Sequence, residues 1–370
     1  MESFQVMTAA CIPEAQALVK ELNTAKYEAQ KTHRSYSSVL HFIITTTKNL
    51  SQTRFSGEQM KVFNSLDEIN NVEPTVTALG NFDGIHKGHR ELISLAVAEA
   101  RKAGLMSAVF TFSTHPRNAF GRNAVKNIIS AEEKAQIIAD LGVDYLFNLP
   151  FADEIRTLSP SEFIDRLLIE KFNMKEGFCG FNYTFGYKAE GTPEMLKAEG
   201  AEKGFKIHVL EPYTVDGEVV SSTLIRKIIE KGEVELCRKY MDRNFAAGGV
   251  VIEGNRLGGT TLGFPTANIN IDESMILPPN GVYITKTLWR GAWYPSITNV
   301  GNKPTIGEYA KNMETHILDT EFNRDLYGEI LRVEFLKKLR DEKKFDSLDA
   351  LRDEIARNCD VARAYHLQTK

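Results

Sequence analysis

Two histidines three residues apart, His86 and His89, close the stretch Gly80-Asn81-Phe82-Asp83-Gly84-Ile85-His86-Lys87-Gly88-His89. Imidazoles can hydrogen-bond or protonate phosphate oxygens. Gly80, Gly84 and Gly88 let the backbone come close to a phosphate. The apolar run Thr77-Ala78-Leu79 precedes the stretch, and Leu92, Ile93, Leu95, Ala96 and Val97 come after it at helical spacing. The pattern predicts strand, glycine loop and helix N-terminus, a junction whose free N–H groups and dipole favour an anion. A plain turn with two surface histidines is the competing reading, and Gly-x-Phe-Asp-Gly directly in front weighs against it. A second stretch, Ser221-Ser222-Thr223-Leu224-Ile225-Arg226, opens another helix with paired hydroxyls and an arginine one turn in. Small donors with a fixed cation suit a triphosphate. Taken alone it is more simply an N-cap, with Ser222 or Thr223 capping and Arg226 in solvent.

Further on, Leu262-Gly263-Phe264-Pro265-Thr266-Ala267-Asn268 carries a different chemistry. Gly263 and Pro265 fix a bend, while Thr266 and Asn268 offer a hydroxyl and an amide oxygen on alternate positions, a reasonable magnesium-nucleotide set. In Met313-Glu314-Thr315-His316-Ile317-Leu318-Asp319, a strand would put Glu314, His316 and Leu318 on one face. A carboxylate there could take the proton of a hydroxyl attacking a γ-phosphate. The competing reading of both pieces is a polar loop or strand edge.

The elements that must position these residues alternate. Strands are predicted over 76–79, 107–112, 145–149, 177–180 and 206–210, with helices over 90–103, 131–141 and 160–171 between them. Alternation predicts a parallel sheet with helices on both faces and ligands at the carboxyl ends of the strands. Three stretches then converge there: Phe112-Ser113-Thr114-His115-Pro116, Gly180-Phe181-Asn182-Tyr183-Thr184-Phe185-Gly186, and the Ser221 stretch. Beyond Tyr240 the pattern changes to short strands, over 282–288, 294–300, 315–318 and 330–335, punctuated by turns such as Gly258-Gly259 and Pro278-Pro279-Asn280-Gly281. That predicts a small antiparallel barrel. A last helix over 347–358 would pack on it through Leu348, Leu351 and Ile355.

Composition limits the classes. The chain has 370 residues, 42% hydrophobic and 25% charged, with net charge −4. Two domains are expected at this length, and no global basic field argues for nucleic acid or an anionic membrane. Cys11, Cys179, Cys237 and Cys359 lie far apart with no C-x-x-C spacing, which suits a reducing, cytoplasmic setting. No apolar run reaches the ~18 residues of a membrane helix. Residues 1–59 differ from the rest of the chain: a possible helix over 14–31, then a polar stretch without a motif. They are expected to be a dispensable N-terminal extension.

The stretch Gly80–His89 resembles the H-x-G-H nucleotidyltransferases, and its extended form is similar to the N-terminal module of the prokaryotic bifunctional riboflavin kinase/FAD synthetase family. F-x-x-H-P at 112–116, G-x-[DN]-[FY]-x-F-G at 180–186 and S-S-T-x-I-R at 221–226 agree. In the second half, G-F-P-T-A-N (263–268), N-V-G-x-x-P-T (299–305), E-T-H-I-L-D (314–319), D-L-Y-G (325–328) and L-R-x-E-x-K-F (339–345) occur in family order. The resemblance runs from Met60 to about His366. It implies an α/β nucleotidyltransferase with a Rossmann-like parallel sheet over 60–242, then a small antiparallel riboflavin kinase barrel with a C-terminal helix over 243–370. It implies two reactions, riboflavin and ATP to FMN, then FMN and ATP to FAD. His86 and His89 would be catalytic in the second reaction, with Gly80, Phe82, Asp83, Gly84, Gly88, Ser222, Thr223 and Arg226 binding ATP and His115, Pro116 and Asn182 meeting the flavin. In the kinase, Glu314 would be the general base, Gly263, Pro265, Thr266 and Asn268 would hold ATP, and Thr266 and Asn268 would reach Mg2+. The implied partners are riboflavin, FMN and ATP, with no nucleic acid or membrane, in a monomer or weak homo-oligomer. Leu224 and Gly259 stand where the family often has arginine, and Lys188 is the one cation close after Gly186. Two rivals are another nucleotidyltransferase, such as a cytidylyltransferase or pantetheine-phosphate adenylyltransferase, which leaves P-T-A-N unexplained, and a non-catalytic flavin- or nucleic-acid-binding barrel.

Overall fold

The first half of the described chain is built on six parallel strands in the order β1-β4-β3-β2-β5-β6. They are β1 (Lys61–Phe63), β2 (Thr75–Leu79), β3 (Met106–Phe112), β4 (Tyr145–Leu149), β5 (Met174–Gly180) and β6 (Lys206–Leu210). The computed structural model describes residues 59–120, 125–253, 263–302, 311–320 and 326–369. The helix expected over 14–31 therefore lies outside the described residues.

Every residue of the central strand β2 is buried, as a strand covered on both faces requires. Its alternation sorts the core. Val76 and Ala78 pack with Ile93, Ala96 and Ala100 of helix α1 (Lys87–Ala103). Leu79 on the other face packs with Phe110, Phe147 and Leu167. Helix α2 (Ala131–Asp140) is capped by Ser130, whose hydroxyl accepts from the Glu133 N–H. Helix α3 begins at Pro160–Glu162 with a Ser159 capping box and continues over Phe163–Lys171 with π-helical pitch. Helix α4 is Pro193–Lys203; past β6 come a ribbon of β7 (Thr214–Val215) and β8 (Glu218–Val219), then α5 (Ser222–Lys231) and α6 (Cys237–Met241). All five expected strands are present, some starting up to three residues earlier than predicted. The sequence reading missed β1, which pairs with β4 at the sheet edge. Two of its three residues are exposed, so it carries no apolar run.

The second half closes into a barrel, in the order β10-β13-β12-β11-β14-β9. Its strands are β9 (Phe245–Ile252), β10 (Ala267–Asn270), β11 (Gly281–Trp289), β12 (Ala292–Asn302), β13 (Lys311–Ile317) and β14 (Ile330–Asp341). Gly249 permits the closure: a β-carbon there would lie 1.9 Å from the Asn270 carbonyl oxygen. Inside, Thr285, Thr287, Ser296, Thr298 and Thr315 bond hydroxyl to hydroxyl at 2.8–2.9 Å, so these buried polar groups are satisfied. Helix α7 (Leu348–Gln368) runs ten residues beyond the predicted end at 358. Its packed side is also shifted: Ile355, Cys359 and Ala362 meet Ile284, Ile297 and Leu318, while Leu348 is 57% exposed. Gly258, Gly259, residues 303–305 and Asp325 lie outside the described residues.

Sheet and barrel belong to one compact unit, Met60–Lys370, and share a continuous apolar cluster from Val76 to Phe335. Asn127 forms a parallel bridge with Met275, donating to the Ser274 carbonyl at 2.7 Å and accepting from the Ile276 N–H at 2.9 Å. Arg332 of β14 pairs with Glu133 of α2 at 3.0 Å.

Candidate active sites

The loop between β2 and α1 is shaped by positive φ at Phe82 (48°), Gly84 (75°) and Ile85 (30°). Phe82 tucks into the core, its ring where a β-carbon on Gly80 would fall, at 3.0 Å. Gly88 admits Tyr213, whose Cβ lies 3.0 Å from the position a β-carbon would take. His86 caps α1: its Nδ1 accepts from the His89 N–H at 3.3 Å. That leaves Nε2 as the protonated nitrogen of the neutral ring. The two imidazoles stack, 3.6 Å between centroids and 19° between planes, and Phe82 meets His89 edge-on. Burial, and then the Arg243 charge, push His86 down to about 4. Burial, with the His86, Lys134 and Arg243 charges, holds His89 well below the usual histidine range. Both rings are therefore neutral near pH 7 and can donate or accept without first losing a proton. The His89 Nδ1 is buried with no protein partner.

Asp83 ties this loop to its neighbours. It accepts from the Ile128 N–H at 2.9 Å and pairs with Arg226, which also donates to the Lys126 carbonyl at 3.0 Å. Arg226 is thus fixed against Asp83 rather than free in solvent. Ser221 caps α5 by accepting from the Leu224 N–H at 3.2 Å, so neither Ser222 nor Thr223 does. The Ser222 hydroxyl donates to the Asp83 carbonyl at 2.8 Å, and Thr223 is exposed in the first turn. Leu224 packs against the core beside these groups.

Beside the loop lies a cleft lined by Asn81, Asp83, Ser113, Thr114, His115, Pro116, Asn127 and Lys134, among others. His115 and Pro116 line it. Asn182 does not line it and sits on an exposed turn after β5. Lys134 was missed. It is 8% exposed, and burial lowers it to about 8. A signal existed in the sequence, because Lys134, Ile138 and Leu141 fall at i, i+4 and i+7, placing a lysine on the apolar stripe of its helix.

On the outer face of the barrel, strand register sets Glu314 opposite Asn268 on one side and Asn299 on the other. The Asn312 amide donates to Glu314 at 3.0 Å and to the Asn268 Oδ1 at 3.2 Å. Burial raises Glu314 above the ordinary carboxylate range, opposed by the Asn312 bond. His316 donates from Nδ1 to the Pro265 carbonyl at 2.7 Å, which holds the Gly263–Thr266 bend against β13. Gly263 has φ 78°, and Thr266 is exposed. This arrangement offers hard oxygen donors and one half-buried carboxylate.

A histidine loop at a helix N-terminus, on a parallel sheet joined to a small barrel with a carboxylate–amide site, defines a two-module nucleotide-handling protein. A family model described as FAD synthetase matches residues 68–224, on the sheet, and one described as riboflavin kinase matches 241–366, on the barrel. The bifunctional riboflavin kinase/FMN adenylyltransferase of Bacillus subtilis (strain 168) is 34% identical over 296 residues, 79% of this chain and 92% of its own. That of Escherichia coli (strain K12) is 34% identical over 300 residues, 80% and 95%. A solved structure from Streptococcus pneumoniae, named as a macrolide-efflux protein, superposes with a TM-score of 0.73 at 31% identity over 83% of this chain and 99% of that one. The chain belongs to the bifunctional riboflavin kinase/FMN adenylyltransferase family. Among the described residues no helix is long and apolar enough to cross a membrane.

Proposed function

We propose that the barrel phosphorylates riboflavin to FMN and that the sheet module then joins FMN to the adenylyl group of ATP, giving FAD and diphosphate. Residues 243–370 are assigned the first reaction and 60–242 the second. The observation that carries the reading is the separation of two different sites, neutral stacked histidines on a helix N-terminus and a half-buried carboxylate among amides.

In the kinase, Glu314 accepts the proton of the ribityl hydroxyl as it attacks the γ-phosphorus, and its raised affinity for protons suits a base of that kind. Thr266, Asn268 and the buried, unpartnered Asn312 Oδ1 are oxygen donors fit for a magnesium ion that takes its other ligands from nucleotide and water. When bound, that ion would neutralise developing phosphate charge. In the adenylyltransferase, the FMN phosphate attacks the α-phosphorus. His86 and His89 donate to phosphate oxygens, Ser222 and Thr223 add hydroxyls, and the Asp83-held Arg226 adds charge. The flavin lies along His115 and Pro116. Asn182, placed at the flavin side by its motif, stands off this cleft. The three buried thiols at Cys179, Cys237 and Cys359 suit a reducing cytoplasm.

Incubation with riboflavin, ATP and magnesium, with chromatography of the flavins, tests the reading. FMN and then FAD are expected. His86→Ala should abolish FAD formation and spare the kinase, and Glu314→Gln should do the reverse. Loss of both activities in either folded variant would overturn the division of labour. A chain begun at Met60 should keep both activities, and loss of both would show that residues 1–59 are not dispensable.

A further inference from the structure

Lys134 is a buried cation without a carboxylate of its own. Its Nζ donates to the Phe112 carbonyl at 2.9 Å, and at longer range to the Thr111 hydroxyl at 3.3 Å and the Asn81 carbonyl at 3.5 Å. All three acceptors are neutral, and no described carboxylate lies within ion-pair distance. Asp83, the carboxylate whose charge acts on Lys134, is already paired with Arg226. Keeping an ammonium buried without a counter-charge is unfavourable. The lysine nevertheless lines the cleft formed by Ser113, Thr114, His115 and Pro116, and His86 and His89 do not line that cleft.

We infer that Lys134 receives the phosphate of the flavin substrate in this cleft, exchanging one of its two long hydrogen bonds for a phosphoryl oxygen. The anion supplies the missing counter-charge, and the short bond to Phe112 keeps the ammonium aimed. The triphosphate occupies the histidine side of the loop, so the cleft beyond Asp83 is left for the attacking phosphate. The inference rests on the adenylyl-transfer reading above. The groups that face Lys134 are Asp83 with its partner Arg226, His89 and His115. Burial holds both histidines neutral through the alkaline range. A change above pH 7 is therefore assigned to Lys134, which loses its proton near 8 when the cleft is empty.

Steady-state kinetics of FAD synthesis test this, with riboflavin phosphorylation in the same preparation as the control. Lys134→Met should raise KM for FMN roughly 10- to 100-fold, the range for losing a charge-assisted bond. KM for ATP and the kinase should change less than about twofold. Lys134→Arg should recover most of the loss. In wild-type protein, KM for FMN should climb as pH rises through about 8. In Lys134→Arg it should stay flat, because a guanidinium keeps its charge. Any of three results overturns the inference: an unchanged KM for FMN in Lys134→Met, a rise in KM for ATP instead, or a wild-type KM for FMN flat above pH 8. Should Lys134→Met fail to fold, the two pH profiles decide alone. Wild-type protein that makes no FAD from supplied FMN would overturn the functional reading itself and the inference with it.

Discussion

At residue scale, His86 shows burial setting a protonation state. Its folded affinity for protons falls to about 4 from the ordinary 6.5. As pH drops below 6.5 the unfolded chain takes up a proton there that the folded chain refuses until about 4. Stability is therefore lost between those values, on the order of 3 kcal/mol for this group. His86→Asn keeps an acceptor for the helix cap but removes the titrating ring. The expected outcome is a flatter stability curve between pH 6.5 and 4, read by urea denaturation, together with loss of FAD synthesis. An acid limb as steep as that of wild type would assign the destabilisation to other groups.

At element scale, barrel closure depends on one place where backbone meets backbone. Gly249→Ala would drive a β-carbon into the Asn270 carbonyl, so β9 and β10 must part. The expected cost is about 3 kcal/mol, checked by chemical denaturation. Kinase activity should fall more than FAD synthesis from supplied FMN, because β10 carries Asn268. Helix α7 makes the opposite point. Leu348→Ala should change stability by less than about 0.5 kcal/mol, because Leu348 stands in solvent. Ala362→Leu should destabilise by roughly 1–3 kcal/mol, because Ala362 has no space beside Ile284 and Ile297. The sequence pattern puts Leu348 on the packed side and ends the helix before Ala362.

At the scale of the whole molecule, the barrel side reaches the histidine loop through Arg243. This linker residue donates to the Ile85 carbonyl at 3.0 Å and to the Gly84 carbonyl at 2.5 Å. Glu133 lies 3.8 Å from Arg243 and pairs with Arg332 of β14. Removing Arg243 leaves two carbonyls of a positive-φ loop without their donor. Arg243→Ala should lower FAD synthesis roughly tenfold or more while leaving riboflavin phosphorylation near wild type. Equal loss of both rates would mean that the residue supports the fold at large.

Much of this protein is legible in the chain alone, because the signals are local. The apolar run before Gly80, the helical spacing after His89 and the turn-punctuated strands beyond Tyr240 each report one element, and the ordered motifs report their chemistry. Tertiary structure decided what depends on distant partners. The loss of basicity at His86 comes from burial and from Arg243, more than 150 residues away. The fixing of Arg226 joins residues 143 apart, and the aim of Lys134 toward the Phe112 carbonyl spans 22. Helix α7 shows the same limit: its periodicity announced a helix, but only the barrel surface chose which side to bury. Periodicity and motif spacing act over a few residues of chain, whereas charge, burial and ring contact act through space, and only the packed molecule brings those groups together.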